Sequence, residues 1–226
     1  MHRAGLFFIV VLVAVIFQRC STTRQLTSDR KAHEISSLLI LQPVAKIGLI
    51  NKGNKPETNV PFSKKATKEI ELQVKNLLPE NILVSQLNVD ESQDSTIPNA
   101  ITYIVNEVEK VKTLNRIVVP ESLLHFLDSA NHDFCLGILE VGFVRSKDNY
   151  DKQHDLGNMT QFATLGLYGF VPYKSSSTMV CFIVDRKNRN LAFYRRGTWK
   201  ETDPTERIVI KAHLDDLISK YFDSAK

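Results

Sequence analysis

An uninterrupted apolar run near the N-terminus, Ala4 to Phe17, constrains this chain more than any other feature of its sequence. A short basic segment with Arg3 precedes the run, and polar residues follow it from Gln18 onward. The run has 14 residues, whereas a membrane-spanning helix needs about 20. An apolar core of this length with these flanks is typical of a signal peptide. The sequence therefore predicts that residues 1–19 are a signal peptide and that the protein is exported.

Cys20 comes directly after the predicted signal peptide and is followed by the small polar residues Ser-Thr-Thr. This start resembles that of bacterial lipoproteins, in which such a cysteine is acylated, for instance with palmitate, and becomes the mature N-terminus. That family usually has leucine and small residues before the cysteine, where this chain has Phe17, Gln18 and Arg19, and the start is similar to the looser signals of the Bacteroidetes type. The resemblance implies a lipid-anchored protein of the bacterial cell envelope, in the outer membrane and facing the periplasm. An uncleaved N-terminal anchor and ordinary secretion with a free Cys20 are the alternatives.

The composition is that of an ordinary globular protein, with 43% hydrophobic and 24% charged residues among 226. It excludes a disordered chain and a membrane protein with several spans. Removal of residues 1–19 takes away Arg3 and Arg19 and no acid, so 27 basic residues face 25 acidic ones, a net charge of +2. Binding of nucleic acid needs a clustered basic face, and we expect no nucleic acid partner. The length suits one domain, which we place at residues 35–226 behind a polar tether of residues 20–34.

The spacing of apolar residues predicts an α/β fold in which early strands alternate with helices and the last strands follow one another. Helical spacing occurs in residues 63–78, after Pro98, after Pro120, and in a last helix that Asp203, Pro204 and Glu206 would begin. Strand-like runs are residues 37–41, 45–50, 81–87, 116–119, 134–145, 179–184 and 191–194. Strands that alternate with helices usually pair in parallel, and strands that follow one another directly usually pair antiparallel. We therefore expect one mixed β-sheet of about five to six strands packed by helices, with a C-terminal β-hairpin and a C-terminal helix.

Residues 156–171 form an apolar segment without a charged residue, LGNMTQFATLGLYGFV. Its three glycines disfavour a helix, each by about 1 kcal/mol relative to alanine, and it is too short to cross a bilayer as a helix. One interpretation is a hairpin arm or loop that folds over the sheet. The other is an exposed flap that contacts a partner or the lipid surface through its large side chains, Phe162, Leu165, Tyr168 and Phe170. The preceding residues 146–157 are expected to form a polar loop.

The single tryptophan, Trp199, falls in a predicted loop between the hairpin and the last helix. An exposed tryptophan at this place would anchor a partner, and a buried one would cover the edge of the sheet. Both interpretations stay open, and we count Trp199 among the possible interaction residues.

The most enzyme-like stretch is His125 to Cys135, which holds two histidines, two aspartates and a cysteine. Zinc would need three or four such ligands at one point, and the spacing matches no familiar metal motif. Cys135 would be a nucleophile only beside a histidine, with His154 or His213 as the candidates, and in an apolar strand a thiol is usually inert. The chain also lacks Gly-x-Ser-x-Gly, Ser-x-x-Lys, His-Glu-x-x-His and phosphate-loop motifs. We therefore expect no catalytic residue, no metal and no cofactor.

Cys135 and Cys181 both fall in predicted strands of a protein expected to be exported, where disulfides are permitted. They can pair only if the two strands are neighbours and the Cα atoms lie about 4.4–6.8 Å apart. Two separately buried thiols are the alternative.

The C-terminal run from Tyr173 to Phe222 resembles a group of bacterial envelope lipoproteins that includes the curli-secretion lipoprotein and the N-terminal domain of TolB. In that group an α/β domain ends in a hairpin with an aspartate before the turn and aromatic residues after it, and a helix follows. Here these parts are Phe182 to Asp185, a turn that ends at Asn190, and Leu191 to Tyr194. The resemblance implies a non-catalytic protein-binding role in assembly, secretion or envelope maintenance. A ligand- or glycan-binding lipoprotein and an envelope hydrolase are the alternatives.

Overall fold

The computed structural model describes residues 22–86 and 95–223, so the predicted signal peptide and Cys20 lie outside the described residues. The strands are β1 (Thr22–Thr27), β2 (Ser37–Ile40), β3 (Val44–Ile50), β4 (Glu57–Thr58), β5 (Leu83–Gln86), β6 (Phe134–Arg145), β7 (Ser175–Asp185) and β8 (Asn190–Lys200). The helices are α1 (Val60–Val74), α2 (Thr96–Val111), α3 (Glu121–Ser129), α4 (Lys147–Ala163) and α5 (Arg207–Leu214). α5 continues through a π-helical segment (Asp215–Ser219) into a last helical turn (Lys220–Asp223).

The strands form a single mixed sheet in the order β1-β8-β7-β6-β2-β5. β3 follows β2 along the same side of β6, and Gln42 and Pro43 lie between the two strands. β2 and β3 run parallel to β6, whereas β7, β8 and β1 continue the sheet with antiparallel pairs. The predicted α/β fold with one mixed sheet, a C-terminal hairpin and a C-terminal helix is confirmed, with eight strands over the described residues in place of five to six.

The central strands of this sheet are buried on both faces. Successive side chains of a strand point to opposite sides, so Ile138 and Cys181 join one apolar cluster while Cys135 and Val184 join the other. α1 and α5 cover the first face, and α2 and α3 cover the second. Strands covered on both faces need a nearly continuous apolar sequence, which explains the apolar start of β6, FCLGIL.

α2 forms where the apolar spacing predicts a helix. Its buried side chains recur three and four residues apart and line one face: Ile97, Ala100, Ile101, Ile104, Val105 and Val108. α5 begins later than predicted, at Arg207. The reason is that Asp203 accepts a hydrogen bond from the backbone N–H of Thr205 at 2.8 Å, in a turn before the helix.

The strand predicted for residues 116–119 is wrong. The backbone N–H of Ile117 donates to the carbonyl of Leu114 at 3.1 Å in a turn, and none of the four residues joins the sheet. Ile117 and Val119 instead fill the apolar cluster beneath α2 and α3. The β-branched residues that indicated a strand therefore serve packing in an irregular segment.

The predicted tether is also wrong from Thr22 onward. β1 pairs antiparallel with β8, with Thr22 opposite Thr198 and Thr27 opposite Phe193. An edge strand tolerates polar and charged side chains, so the missing apolar periodicity did not reveal this one. The domain therefore begins at or before Thr22.

Cys135 and Cys181 lie on neighbouring strands but are not partners. Cys135 is opposite Val184, and Cys181 is opposite Ile138, and the two side chains point to different faces of the sheet. Both thiols are free and buried, and burial raises the pKa of each. Of the two alternatives, the structure has the separately buried thiols.

We expect both thiols to be protected by the fold alone. A thiol reagent should label neither Cys135 nor Cys181 in the folded protein and should label both after denaturation without reductant, because only the thiolate of an accessible cysteine reacts. Mass spectrometry of the two peptides that carry these residues measures the labelling. An unlabelled pair in the denatured, unreduced protein would mean that they are oxidised and that the strand register is different.

Candidate interaction surface

α4 projects from the domain instead of packing along it. Of its 17 residues, Asn149 and Gly157 are the ones that are buried. The helix occupies the stretch predicted as a polar loop, residues 146–157, and that prediction is wrong. The Ser146 hydroxyl accepts a hydrogen bond from the N–H of Asn149 at 3.4 Å and caps the helix. Since α4 buries so little, its sequence has no apolar stripe from which to predict it.

The end of α4 and the residues after it form a surface of exposed, large apolar side chains. We call it the apolar tip, and its residues are Met159, Phe162, Leu165, Leu167, Tyr168 and Val171. Phe162 is 86% exposed and Leu165 is 94% exposed, and Phe170 is exposed to a smaller extent, at 43%. The interpretation of a loop folded over the sheet is therefore wrong. The exposed alternative agrees with the structure, and its role in binding stays a prediction.

A tight turn and a close return of the chain hold the apolar tip together. The Thr164 hydroxyl donates to the carbonyl of Tyr168 at 2.9 Å and accepts from its N–H at 3.0 Å. Gly166 takes a left-handed φ of 85° inside this turn, which glycine adopts without strain. The returning chain then passes so near α4 that a Cβ on Gly157 would lie 2.2 Å from the carbonyl oxygen of Phe170. The tip is a supported structure with its apolar side chains facing outward.

Arg145, the last residue of β6, fixes the base of this projection. Its guanidinium donates to the carbonyls of Tyr173 at 3.2 Å and Gly53 at 2.9 Å, to the Asn54 side chain at 3.1 Å, and to the side chain of Asn149 in α4. The side chain is buried, and desolvation lowers its pKa. One charged group thus ties both ends of the projection to the sheet.

Lysine and tyrosine side chains surround the same base. The Lys174 ammonium lies 4.9 Å from the ring centre of Tyr150. The Lys200 ammonium lies 4.6 Å from the ring centre of Tyr173 and donates to its hydroxyl at 2.8 Å. Cation–π contacts of this kind stabilise exposed sites by about 0.5–1 kcal/mol. The projection therefore changes from charged and aromatic at its base to apolar at its tip.

A second uncovered apolar surface is a groove of about 440 Å³ between α2 and the segment that leads into α3. Tyr103 and Val118 flank it, and Pro120 lies in its wall; Val118 is 70% exposed. Glu121, which also lines the groove, forms an ion pair with Arg189 in the turn between β7 and β8. That turn lies at the opposite end of the sheet from α4.

Trp199 is not part of an exposed surface. It lies within β8, not in a loop as predicted, and it is 9% exposed. Its ring stacks on that of His213 in α5, with ring centres 3.7 Å apart. An exposed tryptophan that anchors a partner is therefore not what the structure has, and Trp199 is instead buried between β8 and α5.

The acids of the enzyme-like stretch 125–135 form ion pairs. The Arg186 guanidinium binds Asp128 at 2.6 Å and also binds Asp133. The hydrogen bond to Asp133 raises the pKa of Arg186 the most, and the hydrogen bond to Asp128 raises it further. His154 lies on α4, at the other end of β6 from Cys135. In the part of the chain that the structure describes, no three His, Cys, Asp or Glu side chains come together as a metal site.

Glu140 is a buried carboxyl that the sequence analysis did not single out. It is fully buried in β6, and Oε1 accepts a hydrogen bond from the Ser177 hydroxyl at 2.8 Å, whereas Oε2 has no hydrogen-bond partner among the described residues. Desolvation raises the pKa of Glu140 to about 8, the Ser177 hydrogen bond opposes this, and the negative charge of Asp203 adds to it. The same face also buries Arg195 and His213. In the sequence, the signal for Glu140 is a single acidic residue inside an otherwise apolar strand-like run.

We expect the apolar tip to contribute little to folding stability. Phe162→Ala removes an exposed ring and should change the free energy of unfolding by less than about 0.5 kcal/mol, and so should Phe162→Asp and Leu165→Asp. Phe182→Ala removes the same ring from a fully buried position and should cost about 3–5 kcal/mol. Urea unfolding measures both changes. A loss at Phe162 as large as that at Phe182 would mean that the tip belongs to the core.

We expect Glu140 to make stability depend on pH. The folded state holds the proton of the Glu140 carboxyl more tightly than the unfolded chain does. The free energy of unfolding should therefore fall as the pH rises from about 4.5 to about 8. Glu140→Gln removes this dependence. The free energy of unfolding of the variant should therefore rise relative to that of the parent, by at most about 1.4 kcal/mol for each pH unit. The exposed Glu57→Gln is the control. Parallel stability curves for the parent and Glu140→Gln between pH 5 and 8 would contradict the prediction.

Comparisons with known proteins give distant likenesses. No protein-family model matches the chain, and no curated protein matches it. Among solved structures, it is similar to the PelC dodecamer from Paraburkholderia phytofirmans, with 9% identity, a TM-score of 0.39, and coverage of 91% of this chain and 96% of that one. It is also similar to the LpoB C-terminal domain from Salmonella enterica, with 5% identity, a TM-score of 0.30, and coverage of 76% and 86%. These values are too low to carry over a function, and the resemblance to the curli-secretion and TolB group stays a prediction.

Proposed function

We propose that this protein is an exported, lipid-anchored protein of the bacterial cell envelope that binds another envelope protein and carries out no chemistry of its own. The apolar run before Gln18 and the position of Cys20 support export and lipid attachment. Within the described ranges, no helix has the length and apolar character needed to cross a membrane.

The observation that carries the binding role is the apolar surface that the domain leaves uncovered in two separate places. One is the apolar tip, and the other is the groove beside Tyr103 and Val118. Contiguous exposed apolar surface marks sites of association, whereas isolated exposed apolar side chains are normal. Ile208, which is 83% exposed on α5, is a side chain of the isolated kind.

We assign the protein contact to the groove between α2 and α3. Its lining includes the ring of Tyr103, and tyrosine is one of the residue types enriched in protein-binding hot spots. α2 is held firmly behind it, because Val105 and Val108 are buried and Glu109 accepts hydrogen bonds from Tyr194 and Arg196 at 2.6 and 2.8 Å. A preformed groove on a fixed helix loses little entropy on binding.

Cys135 and the two acids of the enzyme-like stretch, Asp128 and Asp133, are not available for chemistry. The Cys135 thiol is buried and its pKa is raised, so little reactive thiolate forms. Asp128 and Asp133 neutralise Arg186. These observations support binding over an envelope hydrolase.

A ligand- or glycan-binding role is the second candidate, and one cavity favours it. A polar cavity of about 450 Å³ lies near the turn between β7 and β8, with Asp29, Arg30, Asn115, Asn188 and Asn190 in its lining. Amide and carboxylate groups hydrogen-bond sugar hydroxyls. The lining has no aromatic ring on which a sugar would stack, and for this reason we place the glycan second.

A photo-crosslinking amino acid in place of Val118 tests the proposed protein contact in living cells. We expect one discrete crosslinked protein of the envelope fraction, and the same amino acid in place of Ile208 should give none. Tyr103→Asp should reduce the crosslinked product at least tenfold, because a desolvated aspartate costs more than the about 1.4 kcal/mol that a factor of ten requires. Equal patterns from the two positions would count against the groove as the protein-binding site.

A further inference from the structure

We infer that the apolar tip enters the lipid bilayer, so that the protein is held to the membrane at two points, the acyl group on Cys20 and the tip. The inference rests on the proposed lipid attachment for its first point. The second point follows from where the described residues place the tip.

The start of β1 and the projection lie at the same end of the sheet. β6 ends at Arg145 and leads into α4, and the chain re-enters the sheet at the start of β7, Ser175. Thr22 is opposite Thr198 of β8, which is opposite Thr178 of β7. The first residue of β1 therefore lies two strand spacings, roughly 10 Å, from the strand into which the projection returns.

Little chain separates this position from the predicted acyl group. Cys20 precedes Thr22 by two residues, and each residue spans at most about 3.6 Å. An acyl group on Cys20 is thus attached within roughly 7 Å of Thr22. With β1 in the sheet, this end of the domain is kept close to the membrane and the projection is carried with it.

The chemistry of the projection suits a membrane interface. Residues 156–173 carry no charge, and the charged residues Asp155 and Lys174 flank this segment. Phe162 and Leu165 are almost fully exposed to solvent at the tip, and burial of one such side chain is favourable by about 1.5–3 kcal/mol. Lysine and tyrosine at the base combine an apolar body with a polar end, as side chains at the level of lipid headgroups do.

The shape of the tip favours lipid over a protein or a second copy of this chain. A stable protein interface buries about 800 Å² on each partner, which requires a broad complementary surface. The tip is instead a narrow end of a helix and its returning chain, with apolar side chains facing outward from a turn at Thr164 to Tyr168. A fluid apolar phase accepts such a shape without a matching pocket.

Fluorescence quenching in vesicles tests the inference. The mature protein is purified from cells, its acyl group is determined by mass spectrometry, and it is reconstituted into phosphatidylcholine vesicles with acyl chains brominated near their upper carbons. Phe162→Trp places an indole in the tip, and Ile208→Trp places one on α5 as the control, while the buried Trp199 gives the same background in both. We expect at least twofold quenching and a blue shift of the added emission for Phe162→Trp and no quenching for Ile208→Trp.

Leu165→Asp added to Phe162→Trp should abolish the quenching and leave urea unfolding unchanged, because Leu165 is 94% exposed. Absence of quenching in the acylated Phe162→Trp protein, or equal quenching of Ile208→Trp, would overturn the inference and leave the protein-binding groove untouched. The inference would also be overturned if the emission of the Phe162→Trp indole shifted to the blue only when a crosslinked protein or a second copy of the chain is present.

A mass without an acyl group would instead contradict the lipid anchor of the proposed function. In that case, vesicles added to the unacylated protein still decide whether the tip enters lipid, because the quenching depends on the tip alone.

Discussion

The burial of β6 on both faces is the constraint on which the rest of this structure depends. Its first seven residues, from Phe134 to Glu140, are all buried, and its backbone pairs with β2 and β3 on one side and β7 on the other. A strand with no face to solvent needs a helical layer on each side. α1 and α5 supply one layer and α2 and α3 the other, and the remaining strands extend the sheet around this centre.

The same constraint buries the acid Glu140 and places the two ends of the sheet in different surroundings. Glu140 sits where β6 is still covered, so its carboxyl loses hydration and its pKa is raised. The strand ends at Arg145. The guanidinium of Arg145 donates hydrogen bonds to the loop after β3, to the first turn of α4 and to the chain that returns from the apolar tip. The projection with the apolar tip starts from this end, and the groove reaches toward the other, where Glu121 meets Arg189.

Local periodicity predicted the elements that bury a face and missed those that do not. α2 and β6 were predicted because each has apolar residues at the spacing of its own burial. The local pattern does not predict α4, since a helix that buries Asn149 and Gly157 has no apolar stripe. It does not predict β1 either, since a polar edge strand gains its stability from backbone hydrogen bonds to β8. The run at 116–119 shows the converse, because β-branched residues packed without forming a strand.

The predicted export signal, the α/β class and the charge-free segment of the apolar tip can be read from the sequence, since all three are properties of consecutive residues. The burial of Trp199 against His213, the opposite faces of Cys135 and Cys181, and the common end of the sheet at which Thr22 and the projection lie become visible in the fold. These facts depend on strand order and register. Both are fixed by contacts between residues far apart in the chain, which no local pattern encodes.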